Sequence, residues 1–265
     1  MSDSLLQPAN PATQTTHVGT YRRVLPVSLD RMFENTLDWE HLPWQHASSF
    51  SAIECEDAGD WGWRARVNAA RDGAESTIEL RFDRTCGRWV TSNLAGANLG
   101  AEIWTYAWPR AEREIEVIVD FFVPGVAPEY RDRVGAAYAR SYATLYDEDE
   151  AMMVGRQREL DQRFDRSDAP KNLGAADRLD LAAGFEWHGR RWRLTEVNGA
   201  LEAHSAACPH QLGPLERRGN ELFCPWHGYR FDPISGACLT GQSCRLPAPP
   251  RITIEAGEVW VHPPA

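Results

Sequence analysis

The sequence predicts an α+β chain: a curved antiparallel sheet that grips a long helix, followed by a separate all-β segment. Three observations predict it. Strand-like runs crowd the first half, with one short helical stretch among them and a long one after them. Residues 162–180, QRFDRSDAPKNLGAADRLD, are charged and poor in large apolar side chains, which reads as a connection. From about residue 180 the chain consists of short strand-like runs and turns. The expected division is an arm at 1–14, a first domain at 15–165, a linker at 166–179 and a second domain at 180–265.

The elements follow in order. Residues 1–14, MSDSLLQPANPATQ, have neither a basic region nor an apolar core, so they are expected to be a disordered arm rather than an export signal. Thr16–Val27 reads as a strand. Ser28 suits a helix N-cap, and Leu29 to about His46 reads as helix, with Met32, Phe33, Leu37 and His41 near helical spacing. Strand-like runs follow at 50–56, 61–70, 75–83, 87–94 and 101–108. A sixth, EIEVIVDFFV at Glu114–Val123, is rich in β-branched and aromatic residues. A helix over about 127–163 closes the domain. Sheet and helix in this arrangement match the layer rule for α+β domains.

Composition narrows the function. The chain has 265 residues, 43% of them hydrophobic and 25% charged, with a net charge of −10. An acidic chain of this kind is expected to bind neither nucleic acid nor a membrane surface, both of which favour basic patches. No run approaches the roughly 18 apolar residues that span a bilayer, so a cytoplasmic location is expected. The six cysteines are Cys55, Cys86, Cys208, Cys224, Cys238 and Cys244. Those outside the metal motif described next are expected to be reduced thiols.

The second segment holds Cys208-Pro-His210 and, 13 residues later, Cys224-Pro-Trp-His227-Gly228. Each loop offers one thiolate and one imidazole. That suits a [2Fe–2S] centre in which two histidines replace two cysteines on one iron. The prolines stiffen the loops, and Gly213 and Gly228 permit close backbone approach. Two cysteines and two histidines also make a zinc set, but zinc fingers pair like with like, usually around a helix. The run CPHQLGPLERRGNELFCPWHGYRFDPISGACL resembles the Rieske domains of non-haem oxygenases and their ferredoxins, over roughly residues 178–265. Gly213 and Trp226 stand where respiratory Rieske proteins carry an extra disulfide. The resemblance therefore implies the lower-potential oxygenase or ferredoxin type.

The first segment contains Glu34-Asn-Thr-Leu-Asp38-Trp-Glu-His41-Leu-Pro-Trp-Gln-His46. Histidines five apart do not share a face of a straight helix. Pro43 is expected to break the helix between them and bring both to one ion. Two histidines need a carboxylate to complete the facial triad of non-haem Fe(II) oxygenases. The pattern E-N-x-x-D-x-x-H-x-x-x-x-H resembles the mononuclear iron site of Rieske non-haem iron oxygenases. In that family the third ligand lies in an E-D…Q pattern on a later helix. Glu148-Asp149 and Gln157 match it, which implies Asp149, with Asp147 as the alternative. Here the Rieske segment follows the catalytic one, the reverse of the family's usual order.

The resemblance implies a helix-grip (START-like) domain and an oxygenase. It would carry a mononuclear Fe(II), take electrons from an external ferredoxin or NAD(P)H-dependent reductase, and use O2 to hydroxylate, dihydroxylate or dealkylate a small organic substrate, apolar or aromatic. It implies a homotrimer, with Asp38 linking His41 to the position of His227 in a neighbouring subunit. Asn35, one turn before Asp38, is a candidate for supporting the site. Trp61, Trp63, Trp104, Tyr106 and Trp108 fall on the expected sheet, where alternate members could line a pocket. The competing reading is a Rieske ferredoxin-like electron carrier fused to a ligand-binding domain, in which His41, His46 and Asp149 bind no iron.

Overall fold

The computed structural model describes residues 15–264; the arm expected at 1–14 lies outside them. The chain divides into two compact units, one up to Gln157 and one from Arg158 on.

The first unit is built on one antiparallel sheet. Its strands are β1 (Thr15–Leu25), β2 (Phe50–Gly59), β3 (Gly62–Ala69), β4 (Glu75–Asp83), β5 (Arg88–Gly96), β6 (Glu102–Ala111) and β7 (Glu114–Pro124), in the spatial order β1-β7-β6-β5-β4-β3-β2. Alternation decides which side of β7 is buried: Ile115, Val117, Val119, Phe121 and Val123 point inward and their neighbours do not. Each such side chain contributes about 1.5–3 kcal/mol relative to exposure.

The helix α3 (Arg131–Asp161) packs on this sheet. Tyr138 stacks on Phe121 with ring centroids 5.2 Å apart, and Tyr146 stacks on Tyr21 at 5.9 Å. The register of β1 slips between His17 and Gly19, and there a Cβ on Gly135 of α3 would collide with the carbonyl of Val18. Glycine at 135 is thus what lets helix and strand backbones touch.

The stretch expected as a single helix is two short helices. Ser28 caps α1 (Leu29–Leu37), its side chain accepting the amide of Arg31. The chain leaves helical geometry at Asp38 (φ −87°, ψ 85°), passes through a 3-10 turn at Trp39–His41, and re-enters helix as α2 (Leu42–Gln45). Pro43 therefore does not break the helix. It lies in the first turn of α2, where a missing N–H costs nothing. The break falls five residues earlier, and Trp63 helps fix it by donating its indole N–H to the carbonyl of Thr36 at 3.0 Å.

The second unit consists of small antiparallel sheets. Its strands are β8 (Lys171–Ala175), β9 (Phe185–Trp187), β10 (Arg190–Val197), β11 (Ala200–Ser205), β12 (Glu216–Arg218), β13 (Glu221–Phe223), β14 (Arg230–Phe231), β15 (Arg251–Glu255) and β16 (Glu258–His262). They form three sheets: β11-β10-β9, β12-β13-β14 and β15-β16-β8. Part of the expected linker is thus structural, since β8 pairs with β16. Its side chains are exposed or half-buried, so it shows no apolar alternation. Its strand rests mainly on backbone pairing, with Leu173 packed against the core of the unit.

Candidate metal centres

In the first unit α2 and α3 bring three candidate metal ligands together. His41 ends the 3-10 turn, His46 caps α2, and Asp149 lies on α3. His41 Nε2 is 3.2 Å from His46 Nε2, and Asp149 Oδ1 is 3.1 Å from His46 Nε2 and 3.5 Å from His41 Nε2. All three residues are buried. At bond lengths of about 2.1 Å, three ligands on one octahedral face lie about 3 Å apart and tetrahedral ligands about 3.4 Å. The spacing therefore fits one ion bound by two nitrogens and one oxygen. Three such donors facing one another in the protein interior are the chemistry of a divalent metal site.

The surroundings hold these ligands in place. Glu148 Oε2 is 2.7 Å from His46 Nδ1, which leaves Nε2 to face the site. Asn35 donates to Asp149 Oδ1 at 3.0 Å. Burial opposes a charge on Asp149, but hydrogen bonds and charges from His41 and His46 outweigh it and hold the carboxyl below the usual range. Burial likewise opposes protonation of His46, and Asp149 and Glu148 outweigh it, raising its pKa. Asp38 Oδ2 lies 3.8 Å from His41 Nδ1, beyond hydrogen-bond length. Asp147, the alternative third ligand, points the other way. Its side chain is 69% exposed and pairs with Arg23 at 2.6 Å. Helix periodicity explains this, since Asp147 and Glu150 share the face that meets Arg23 while Glu148 and Asp149 face the histidines.

The triad lines a cavity of about 140 Å³. Met32, Leu80, Trp63, Trp89, Thr105 and Tyr142 are among the residues that line it. A cavity of about 150 Å³ lined by apolar side chains holds benzene, so this one accepts roughly a single ring. Of the five aromatics considered from the sequence, Trp63 lines it. On β6 the inward residue is Thr105, and Trp104, Tyr106 and Trp108 fall on the alternate side.

In the second unit Cys208 and His210 lie in the loop after β11, and Cys224 and His227 in the loop between β13 and β14. The two loops share one backbone pattern. Cys208 N–H donates to the carbonyl of Gly213, and Cys224 N–H to that of Tyr229. Leu212 N–H returns to the carbonyl of Cys208, and Gly228 N–H to that of Cys224. Leu212 (φ 61°) and Gly228 (φ 67°) occupy the same left-handed position, which a leucine rarely adopts.

This pattern turns the ligands toward one another. The rings of His210 and His227 lie 4.5 Å apart at 73°, and Tyr229 stacks on His210 at 4.8 Å. Cys208 and Cys224 are buried, reduced and hydrogen-bonded to each other. That hydrogen bond and burial raise the Cys208 thiol, while the same bond, with one to His227, outweighs burial and lowers the Cys224 thiol. A Cβ on Gly213 would lie 2.9 Å from Cys224 Sγ and 2.7 Å from the Trp226 ring, so only glycine leaves room there. Two thiols on one side and two imidazoles on the other fit a cluster with two cysteines on one iron and two histidines on the second.

Sequence comparison agrees for this unit. Residues 171–250 match the family model of the Rieske [2Fe-2S] domain. The chain thus has an antiparallel-sheet domain that grips a long helix, followed by a C-terminal Rieske [2Fe-2S] domain of small sheets, which supports an electron-transfer role. No curated protein matches the chain in sequence. Among solved structures, an aromatase/cyclase from a Streptomyces species is similar over 57% of this chain and 100% of its own, with 14% identity and a TM-score of 0.48. Norcoclaurine synthase from Thalictrum flavum is similar over 54% of this chain and 88% of its own, with 14% identity and a TM-score of 0.42. A START superfamily protein from Mycobacterium smegmatis covers 49% of this chain and 94% of its own, with 13% identity and a TM-score of 0.41. Among the described residues no helix is long and apolar enough to cross a membrane.

Proposed function

We propose that this chain is a Rieske-type non-haem iron oxygenase, with a mononuclear Fe(II) held by His41, His46 and Asp149. One observation supports it above the others. Two imidazole nitrogens and a carboxylate oxygen meet within 3.5 Å in the lining of a largely apolar cavity. Bound there, Fe(II) would supply open coordination positions for activating O2.

The chain's own residues prepare that site. Glu148 accepts from His46 Nδ1 and so fixes the tautomer whose Nε2 binds metal. Asn35 orients the Asp149 carboxylate. Met32, Leu80, Trp63 and Trp89 offer apolar contact to a substrate. The cavity suits a small apolar or aromatic molecule, which would be hydroxylated, dihydroxylated or dealkylated. The electrons would come from an external ferredoxin or NAD(P)H-dependent reductase, through the Rieske cluster.

The deciding experiment is metal analysis of anaerobically purified protein. An oxygenase carries about three irons per chain, two in the cluster and one mononuclear. An electron carrier fused to a ligand-binding domain carries about two. His41→Ala should remove one iron and leave the Rieske EPR signal intact. Unchanged iron content would sink the proposed site.

A further inference from the structure

Two cysteines of the Rieske domain are not cluster ligands. The antiparallel bridge between Ala237 and Arg245 sets Cys238 opposite Cys244, closing the loop Cys238-Leu-Thr-Gly-Gln-Ser-Cys244. Residues opposite each other in such a pair have Cα atoms about 4.5–5.5 Å apart. A disulfide spans about 4.4–6.8 Å. The two thiols lie within hydrogen-bonding reach of each other, and both are reduced and half-buried, so small reagents can reach them.

The loop holds Cys238 in place. Its Sγ is 3.2 Å from Thr240 Oγ1 and 3.4 Å from Gln242 Oε1, and the Thr240 hydroxyl donates to Gln242 Oε1 at 2.6 Å. Burial raises the Cys238 thiol, but hydrogen bonds from Thr240, Gln242 and Cys244 outweigh it and set it below the ordinary thiol range. The pair also adjoins the cluster loops. Cys238 bridges Phe231, two residues beyond the Tyr229 that stacks on His210, and Cys244 lies within electrostatic range of Cys208.

We propose that Cys238 and Cys244 are a redox-active dithiol that closes to a disulfide when a peroxide enters the Rieske domain, before the cluster is damaged. This depends on the Rieske domain alone and not on the oxygenase reading. The Cys238 thiolate attacks a peroxide oxygen: an S–O bond forms, the O–O bond breaks, and the departing hydroxide takes up a proton as water. Cys244 then attacks the resulting sulfenic sulfur: the S–S bond forms, the S–O bond breaks, and a second water leaves. The two sulfurs together give up two electrons, and the peroxide accepts both.

The test uses the full-length holoprotein and hydrogen peroxide. Peptide mapping should show the peptide joining Cys238 to Cys244 lighter by two hydrogens, with both thiols closed to alkylation and reopened by dithiothreitol. The Rieske absorbance should persist while this happens. A variant carrying both Cys238→Ser and Cys244→Ser should bleach several-fold faster than wild type under the same peroxide. Bleaching at equal rates, or sulfinic and sulfonic acids without a crosslink, would overturn the proposal. If the double variant does not load its cluster, Cys244→Ser alone should trap a dimedone-reactive sulfenic acid at Cys238, and its absence would equally overturn it.

Discussion

Asn35 on α1 donates its side-chain amide to Asp149 Oδ1 on α3 at 3.0 Å, across 114 positions of the chain. That oxygen is the one facing both imidazoles. Both residues are buried, and both line the cavity. Asn35→Ala should lower affinity for Fe(II) or Co(II) by about 10–100-fold, the usual cost of losing an outer-shell partner. A metal titration reads this directly, and the Rieske spectrum should not change. Unaltered affinity would reduce the bond to packing.

Gly213 separates the two cluster loops. Its would-be Cβ meets the Trp226 ring and Cys224 Sγ, and a sulfur bound to iron could not retreat without leaving it. Gly213→Ala should therefore cut the fraction of chains carrying the cluster, read as visible absorbance per mole of protein. The first unit is untouched and should still bind one divalent ion. Full cluster loading in this variant would show that Trp226 gives way instead.

Some of this was legible in the sequence and some was not. The alternation of EIEVIVDFFV marks β7 because its inward face is wholly apolar. The Rieske domain was legible because a mixed cluster requires a fixed cysteine-histidine spacing within each loop. The role of Glu148 is not legible in the sequence, since an acidic run on a helix reads as solvated surface until the helix's rotation is known. The helix break at Asp38 left no Pro or Gly signal, because it depends on the tertiary bond from Trp63 to Thr36. Strand β8 was missed for a related reason, its pairing being a property of the backbone.

Glu79 on β4 is 2% exposed and is gripped by Arg64 from β3 and by Arg81. Burial raises its pKa, but the two arginines outweigh burial and hold it below the usual glutamate value. A carboxyl depressed in the folded state adds stability above its unfolded pKa of about 4.3, and that stability is lost as pH falls through the folded value. Glu79→Gln should cost on the order of 1 kcal/mol at neutral pH, because both arginines are partly in water. Its stability should fall less steeply than wild type below about pH 4. Parallel acid melts would show that Glu79 is not the titrating group.

Asp38 gives the most discriminating variant for the oxygenase reading. It caps α1, and its side chain is only 7% exposed. Its carboxylate lies 3.8 Å from His41 Nδ1, a buried nitrogen that makes no hydrogen bond. A shift of about 1 Å would bring the two to hydrogen-bond length. In the proposed enzyme Asp38 would accept from a cluster histidine of a neighbouring subunit, at the position of His227, in a ring of three whose head-to-tail contacts would close by rotation. Asp38→Ala should then keep both metal centres, and dithionite should reduce the cluster normally. Rapid mixing of the reduced, iron-loaded variant with O2 and substrate should show severely slowed oxidation of the cluster. Light scattering of the wild type should give a trimer, and a monomer would confine electron transfer to one chain. Near-normal cluster oxidation in the variant would rule out the bridge. Loss of the mononuclear iron would instead make Asp38 a ligand and displace Asp149 from that role.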